Sequence, residues 1–186
     1  PGRGYVLPRG GATAIPVETV NAPKLDLALF RVSDRNLVRS IQGRYFASPM
    51  SEWQGTTFAE DIAEAIWTGT AEVGGEINRD VTTRLALDAA LAGLSPGVHV
   101  LRASVPGRSG YETPAAWQWF VVSDLGITTL SGAGGLHVIV RSLGTAEARE
   151  GVSVTLLSRA NAPLGEAVTD ADGHAQFPAA LMRQDG

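Results

Sequence analysis

The sequence contains no cysteine. Disulfides, thiolate metal sites and cysteine nucleophiles are therefore excluded, while the redox compartment is left open, since proteins of oxidising compartments need not carry the residue. Methionine occurs twice, and aromatic residues make up only 6% of the 186. A basic surplus is missing too, because 15 Lys and Arg stand against 19 Asp and Glu, a net charge of −4. No face can then carry enough cations to neutralise a row of phosphates, so nucleic acid is not an expected partner. No stretch approaches the roughly 18 apolar residues of a membrane span, and Pro1-Gly2-Arg3-Gly4-Tyr5 has no apolar leader core. The chain opens without methionine, which points to a processed or excised piece of something larger.

What is present is ordinary globular composition, 44% hydrophobic and 18% charged, with 22 glycines and 10 prolines spread as punctuation between short segments. Leu25, Leu27 and Leu29 alternate with Asp26, Ala28 and Phe30, the period of a strand with one face more buried than the other, and Thr13 to Asn21 is its expected partner. Ser33 as N-cap, Leu37 and Ile41 four apart, and Gly43 as the stop predict a short helix over 34–42, lying across a sheet edge. Thr57 and Glu60 have capping-box spacing, yet Trp67, Gly69, Ala71 and Val73 alternate, so a short turn and then a strand over 64–73 are expected. Further strands are expected at 82–91, 97–105 and 115–123. The last has Trp117, Trp119 and Val121 on one face and Phe120 and Val122 on the other, which predicts burial on both sides.

At Ser123-Asp124-Leu125-Gly126 the densely apolar strand stops and a new alternating series begins. The reading is therefore all-β, two tandem antiparallel β-sandwich domains, residues 1–123 with a short helix and residues 124–186. In the second, Leu136, Val138 and Val140 alternate with His137 and Arg141, and Val152, Val154 and Leu156 with Ser153 and Thr155. Leu164–Val168 and His174–Phe177 are expected to form a hairpin about the acidic turn Thr169–Gly173. With about 60 residues against the roughly 100 of a seven-stranded sandwich, the second domain is expected to lack its last strands.

Asp170-Ala171-Asp172-Gly173 invites a calcium reading, but a helix-flanked calcium loop wants glycine sixth and glutamate twelfth, where this chain has Gly173 fourth and Leu181 twelfth. A β-turn with positive φ at Gly173 is the better reading. Gly107-Arg108-Ser109-Gly110 is not a nucleophile elbow, since Tyr111 stands where the second glycine belongs; a hairpin loop is expected. His99, His137 and His174 include no i, i+4 pair and no carboxylate at metal-ligand spacing, so they read as ordinary surface or sheet-face residues. Trp117 and Trp119 read as core, while Trp53 and Trp67 are uncommitted. Gly11, Gly74-Gly75 and Gly134-Gly135 lack the strand-to-helix setting of a phosphate loop and read as hairpin turns.

Three stretches carry a family resemblance. Leu25–Val32 resembles a strand leading into a short helix, Ile66-Trp67-Thr68-Gly69 a later tryptophan–glycine strand, and Phe120–Gly126 a domain junction, followed by Gly151–Val154 and Thr169–Ala175. Together they resemble the bacterial α2-macroglobulins, and specifically two consecutive macroglobulin-type domains of the N-terminal half. The resemblance implies a broad-range endopeptidase inhibitor of the periplasm or cell envelope, anchored to the inner membrane as a lipoprotein in the full-length parent. Its implied partners are the other domains of that protein, target endopeptidases and a penicillin-binding protein. The family's internal thioester joins a cysteine to a glutamine; without cysteine it maps to no residue here, and no bait segment is recognisable.

The expectation is thus a non-enzymatic scaffold, with no catalytic, cofactor-binding or metal residue assigned and no cofactor. The alternative is a carbohydrate- or surface-binding module, resting on Trp53, Trp67 and the 169–175 turn. A hydrolase would have only Ser109 and scattered carboxylates, with no positioned base.

Overall fold

A computed structural model describes residues 5–7, 14–43, 45–91 and 93–183. The chain divides into two compact units, Pro1–Val122 and Ser123–Gly186. Gly11 lies outside the described residues.

The first unit contains β1 (Tyr5–Leu7), β2 (Ala14–Val20), β3 (Lys24–Val32), α1 (Asp34–Gln42), α2 (Glu52–Asp61), β4 (Ala63–Glu72), β5 (Asp80–Ala86), α3 (Asp88–Leu91), β6 (Gly97–Ser104) and β7 (Ala116–Val122). Its main sheet has the order β1-β7-β6-β3-β4. The pairs are antiparallel except that β1 runs parallel to β7. β2 and β5 form a separate two-stranded ribbon, so the expected pairing of 13–21 with β3 is corrected. Alternation fixes which face a strand buries, and it is silent on which strand lies beside it.

Both faces of the sheet are buried. Leu25, Leu27, Leu29, Leu101, Ala103, Phe120 and Val122 pack with Ile15 and Leu85 of the ribbon. On the other face Phe30, Val32, Val100, Trp117 and Trp119 pack with Met50, Phe58 and Ile62. β7 is thus covered on both sides, as its sequence predicts.

The helical layer is larger than the sequence reading has it. α2 occupies residues expected as a short turn, the strand expected over 64–73 follows it as β4, and the capping box of the helix is Ser51 and Gln54, not Thr57 and Glu60. Gln54 N donates to Ser51 Oγ at 3.3 Å and Ser51 N to Gln54 Oε1 at 3.0 Å. Gly55, which weakens a helix by about 1 kcal/mol relative to alanine, stands where a Cβ would come within 2.6 Å of the Trp117 ring. The site requires a residue without a side chain, because α2 rests directly on that indole. α1 spans the expected 34–42, but its buried residue is Ser40, whose Oγ donates to Asn36 O at 2.8 Å. Asn36 Nδ2 in turn donates to Ile62 O at 2.8 Å. Ile41 is 54% exposed, so the Leu37–Ile41 side is not the packed one. Residues 87–91, expected as the end of a strand, leave β5 and enter α3.

The tryptophan–glycine pair of β4 has a direct cause. Trp67 and Gly69 share a face, and a Cβ on Gly69 would meet the Trp67 ring at 2.4 Å. The indole lies back over the bare backbone and joins the ribbon-side core.

The second unit contains β8 (Leu125–Gly132), β9 (Gly135–Ser142), β10 (Ser153–Leu157), β11 (Pro163–Val168), β12 (His174–Pro178) and a 3-10 turn, Ala179–Arg183. Two sheets, β12-β9-β8 and β10-β11, enclose Val138, Val140, Ala175 and Phe177. β11 and β12 therefore belong to different sheets, and the expected hairpin is corrected to a crossing from one sheet to the other. The turn itself is the expected one. Gly173 N donates to Asp170 O at 2.9 Å, and Asp170 Oδ1 accepts from Asp172 N and His174 N at 3.0 and 2.9 Å. Gly173 has φ +73°, and a Cβ there would lie 2.4 Å from Val140 O. Gly132 and Gly135 close the β8–β9 hairpin, as expected at 134–135. Gly74-Gly75 instead lies between β4 and β5, strands of different sheets, and is no hairpin turn.

Candidate functional site

In the first unit the residues with chemical capability are mostly committed to packing. Trp119 is almost wholly buried, 5.1 Å from Phe46 and 5.3 Å from Phe58 between ring centroids. Trp117 meets Phe30 and Phe58, both at 5.8 Å. Arg102 lies over the Trp117 ring at 5.7 Å and 3.8 Å from Glu52, tying β6 to the first turn of α2. Ser109 sits in the β6–β7 hairpin loop, where its Oγ accepts from Tyr111 N at 3.3 Å. Among the described residues no hydrogen bond joins that hydroxyl to a histidine or carboxylate. Trp53 and Tyr111 are different, at 68% and 82% exposed.

His99 is not a surface residue. It is fully buried, with its ring 5.6 Å from Phe120 and 20° from parallel. Its Nδ1 lies 3.3 Å from Gly97 O, so Nδ1 carries the proton, while the buried Nε2 has no partner. Burial holds its pKa below the ordinary histidine value; the Gly97 carbonyl opposes that shift and Arg31 adds to it. Between the ribbon and the sheet is a cleft of about 450 Å³, lined by Ile15, Val17, Leu85, Leu101 and Ala103 with Glu18 at its rim. It brings no acid–base pair together.

In the second unit an unexpected polar clasp forms around Asp124. Its Oδ1 accepts from Ser142 Oγ at 2.9 Å and Gly144 N at 3.1 Å, and its Oδ2 from Arg149 Nη2. The Arg149 hydrogen bond first, then those of Ser142 and Gly144, hold the Asp124 carboxyl below the ordinary aspartate range. Buried Thr169 continues the clasp, donating to Arg149 O at 2.6 Å and accepting from Val152 N at 2.9 Å. These residues stand far apart in sequence at irregular spacings, so no local pattern announces them.

His137 and His174, separate in the sequence reading, meet across β9 and β12, with Nδ1 and Nε2 2.9 Å apart. Asp170 Oδ2 lies 3.8 Å from His174 Nδ1. Among the described residues no group of three or more His, Cys, Asp or Glu is arranged to hold a metal. Nor is any helix there long and apolar enough to cross a membrane.

Comparison with known proteins agrees with this architecture. Residues 1–118 match the family model of the bacterial alpha-2-macroglobulin MG2 domain, and residues 122–186 that of the bacterial alpha-2-macroglobulin MG3 domain. An alpha-2-macroglobulin of Escherichia coli is 29% identical over 99% of this chain, and one of Xylella fastidiosa 24% over 93%. The chain spans 11% of the length of each. A crystal structure of native alpha-2-macroglobulin from Escherichia coli spanning domains NIE-MG1 aligns with TM-score 0.72 and 27% identity, covering 94% of this chain and 84% of that one. A cryo-EM reconstruction of the native Escherichia coli protein aligns with TM-score 0.66 and 28% identity, over 95% of this chain and 11% of that one. With its two units matched in order by two domain models of one family, the chain belongs to the bacterial alpha-2-macroglobulins.

Proposed function

We propose that the chain is a non-catalytic scaffold segment of an endopeptidase inhibitor, two macroglobulin-type domains divided at residues 123–124. What supports the reading is the use to which its reactive side chains are put. The acidic turn, the Asp124–Arg149–Ser142 clasp and the Trp117 and Trp119 clusters all hold strands or helices in place. By extension from its relatives, the parent would act on endopeptidases from the periplasm or cell envelope, as an inner-membrane lipoprotein, with a penicillin-binding protein as its neighbour. The test is to incubate the 186-residue chain with a general endopeptidase and follow cleavage of a protein substrate. Undiminished cleavage at any molar excess is expected; stoichiometric inhibition would overturn the scaffold reading.

Exposed Trp53 and Tyr111 favour a second reading, a carbohydrate- or surface-binding face. Glycan binding that is lost in Trp53→Ala would establish it, and a silent glycan array would remove it.

A further inference from the structure

The scaffold role makes no use of His137 and His174. Val138, Val140, Ala175 and Phe177 point into the core of the second unit, so the alternate residues of β9 and β12 turn outward. His137 pairs in register with Gln176 and His174 with Ile139, which makes the two histidines diagonal neighbours on that outer face. Their ring centroids are 5.2 Å apart with planes within 24°, while His137 Nδ1 and His174 Nε2 are 2.9 Å apart. The nitrogens therefore lie between the two rings, each facing the other. Two lone pairs cannot share that separation, so one nitrogen carries a proton and the other accepts it. Asp170 Oδ2, 3.8 Å from His174 Nδ1, favours a proton on that nitrogen. This leaves Nε2 as the acceptor and His137 Nδ1–H as the donor.

We propose that this pair is a binding site for a tetragonal divalent transition metal such as Cu²⁺, with His174 Nε2 and His137 Nδ1 as its two protein ligands. Asp170 has the place of the outer carboxylate that fixes a ligating imidazole: 3.8 Å from the opposite ring nitrogen, it attracts the proton to Nδ1 and closes on it as the ring turns, so that Nε2 presents its lone pair. With metal–imidazole bonds of about 2.0–2.1 Å, nitrogens spaced as these are subtend about 90° at the metal, whereas tetrahedral coordination would need about 3.4 Å between them. The right angle is that of adjacent ligands in square or octahedral sites, which suits Cu²⁺ and Ni²⁺ better than Zn²⁺. On binding, the proton of His137 moves from Nδ1 to Nε2, both half-exposed rings turn until their lone pairs converge on the ion, and water fills the remaining positions. The metal would then bridge β12 to β9.

The experiment is a Cu²⁺ titration of the 186-residue chain at neutral pH, followed by electron paramagnetic resonance. One saturable equivalent with an axial spectrum split by two nitrogens is expected, together with a rise in the melting temperature of the second unit. His137→Gln and His174→Gln should each abolish that signal. Asp170→Asn should keep the stoichiometry and weaken binding by about 10–100-fold. A chain that binds no copper, or a His137→Gln/His174→Gln double variant with unchanged spectrum and affinity, would overturn the site. Unchanged affinity in Asp170→Asn would remove Asp170 from it.

Discussion

Replacing Trp119 by alanine empties the contact between the main sheet and the helical layer. A tryptophan buries about 150–250 Å², worth about 4–6 kcal/mol at about 25 cal/mol per Å². Its ring pairs with Phe46 and Phe58 add about 0.5–1.5 kcal/mol each. Against this, Trp119 Nε1 is buried without a hydrogen-bond partner. Burial of such a group costs about 1–3 kcal/mol, which the truncation recovers. These contributions net to about 5 kcal/mol at their midpoints, the upper end of the about 3–5 kcal/mol usual for a buried aromatic cut back to alanine. Trp119→Phe is the informative companion, because it keeps a ring between Phe46 and Phe58 and removes the unpartnered N–H. It should cost less than about 1.5 kcal/mol. All four tryptophans, Trp53, Trp67, Trp117 and Trp119, lie in the first unit, so their fluorescence during urea unfolding reports on that unit alone. Circular dichroism reports on both units. Trp119→Ala should move the fluorescence transition and leave the second unit's transition in place. A loss below about 1 kcal/mol, typical of a surface change, would refute the packing argument.

Three further outcomes follow from single contacts. Gly69→Ala drives a methyl against the Trp67 ring and should cost about 1–3 kcal/mol; in a double-mutant cycle with Trp67→Ala most of that cost should vanish, and simple additivity would contradict the contact. The folded-state pKa of Asp124 is depressed, so its contribution is present above the unfolded value of about 4 and is lost as pH falls through that region toward the folded pKa. Asp124→Asn should therefore flatten the acid limb of the second unit's stability profile, and an unchanged limb would discount the Arg149–Ser142 clasp. His99 is also depressed, by burial first, so the first unit should lose stability as pH falls below about 6.5, where unfolded chains take up a proton that the folded one refuses. His99→Phe should remove that slope, and a slope that survives the substitution would place its origin elsewhere.

Strand faces were the most legible part of the sequence. The alternation in β3 and the two-sided apolar run of β7 follow from the pleat, which sends successive side chains to opposite faces. Partners were less legible, since β2 joins β5, and β11 and β12 part to different sheets, through contacts that no local period encodes. Helix α2 was hidden because Gly55 and the threonines 56 and 57 lower its intrinsic propensity; packing of Phe58 and Gly55 against the tryptophan cluster overrides that preference. The burial of His99 and the meeting of His137 with His174 depend on strand register, and the Asp124 clasp depends on the loop after β9. Each becomes visible only once those pairings are known.

In the proposed scaffold role the first unit would serve the parent protein through its folded core. The most direct measurement is endopeptidase inhibition by the full-length parent carrying Trp119→Ala, followed against temperature beside tryptophan fluorescence of the 186-residue chain carrying the same substitution. Loss of inhibition should move to lower temperature by as many degrees as the unit's unfolding does. Full inhibition persisting above that unfolding temperature would contradict the scaffold role.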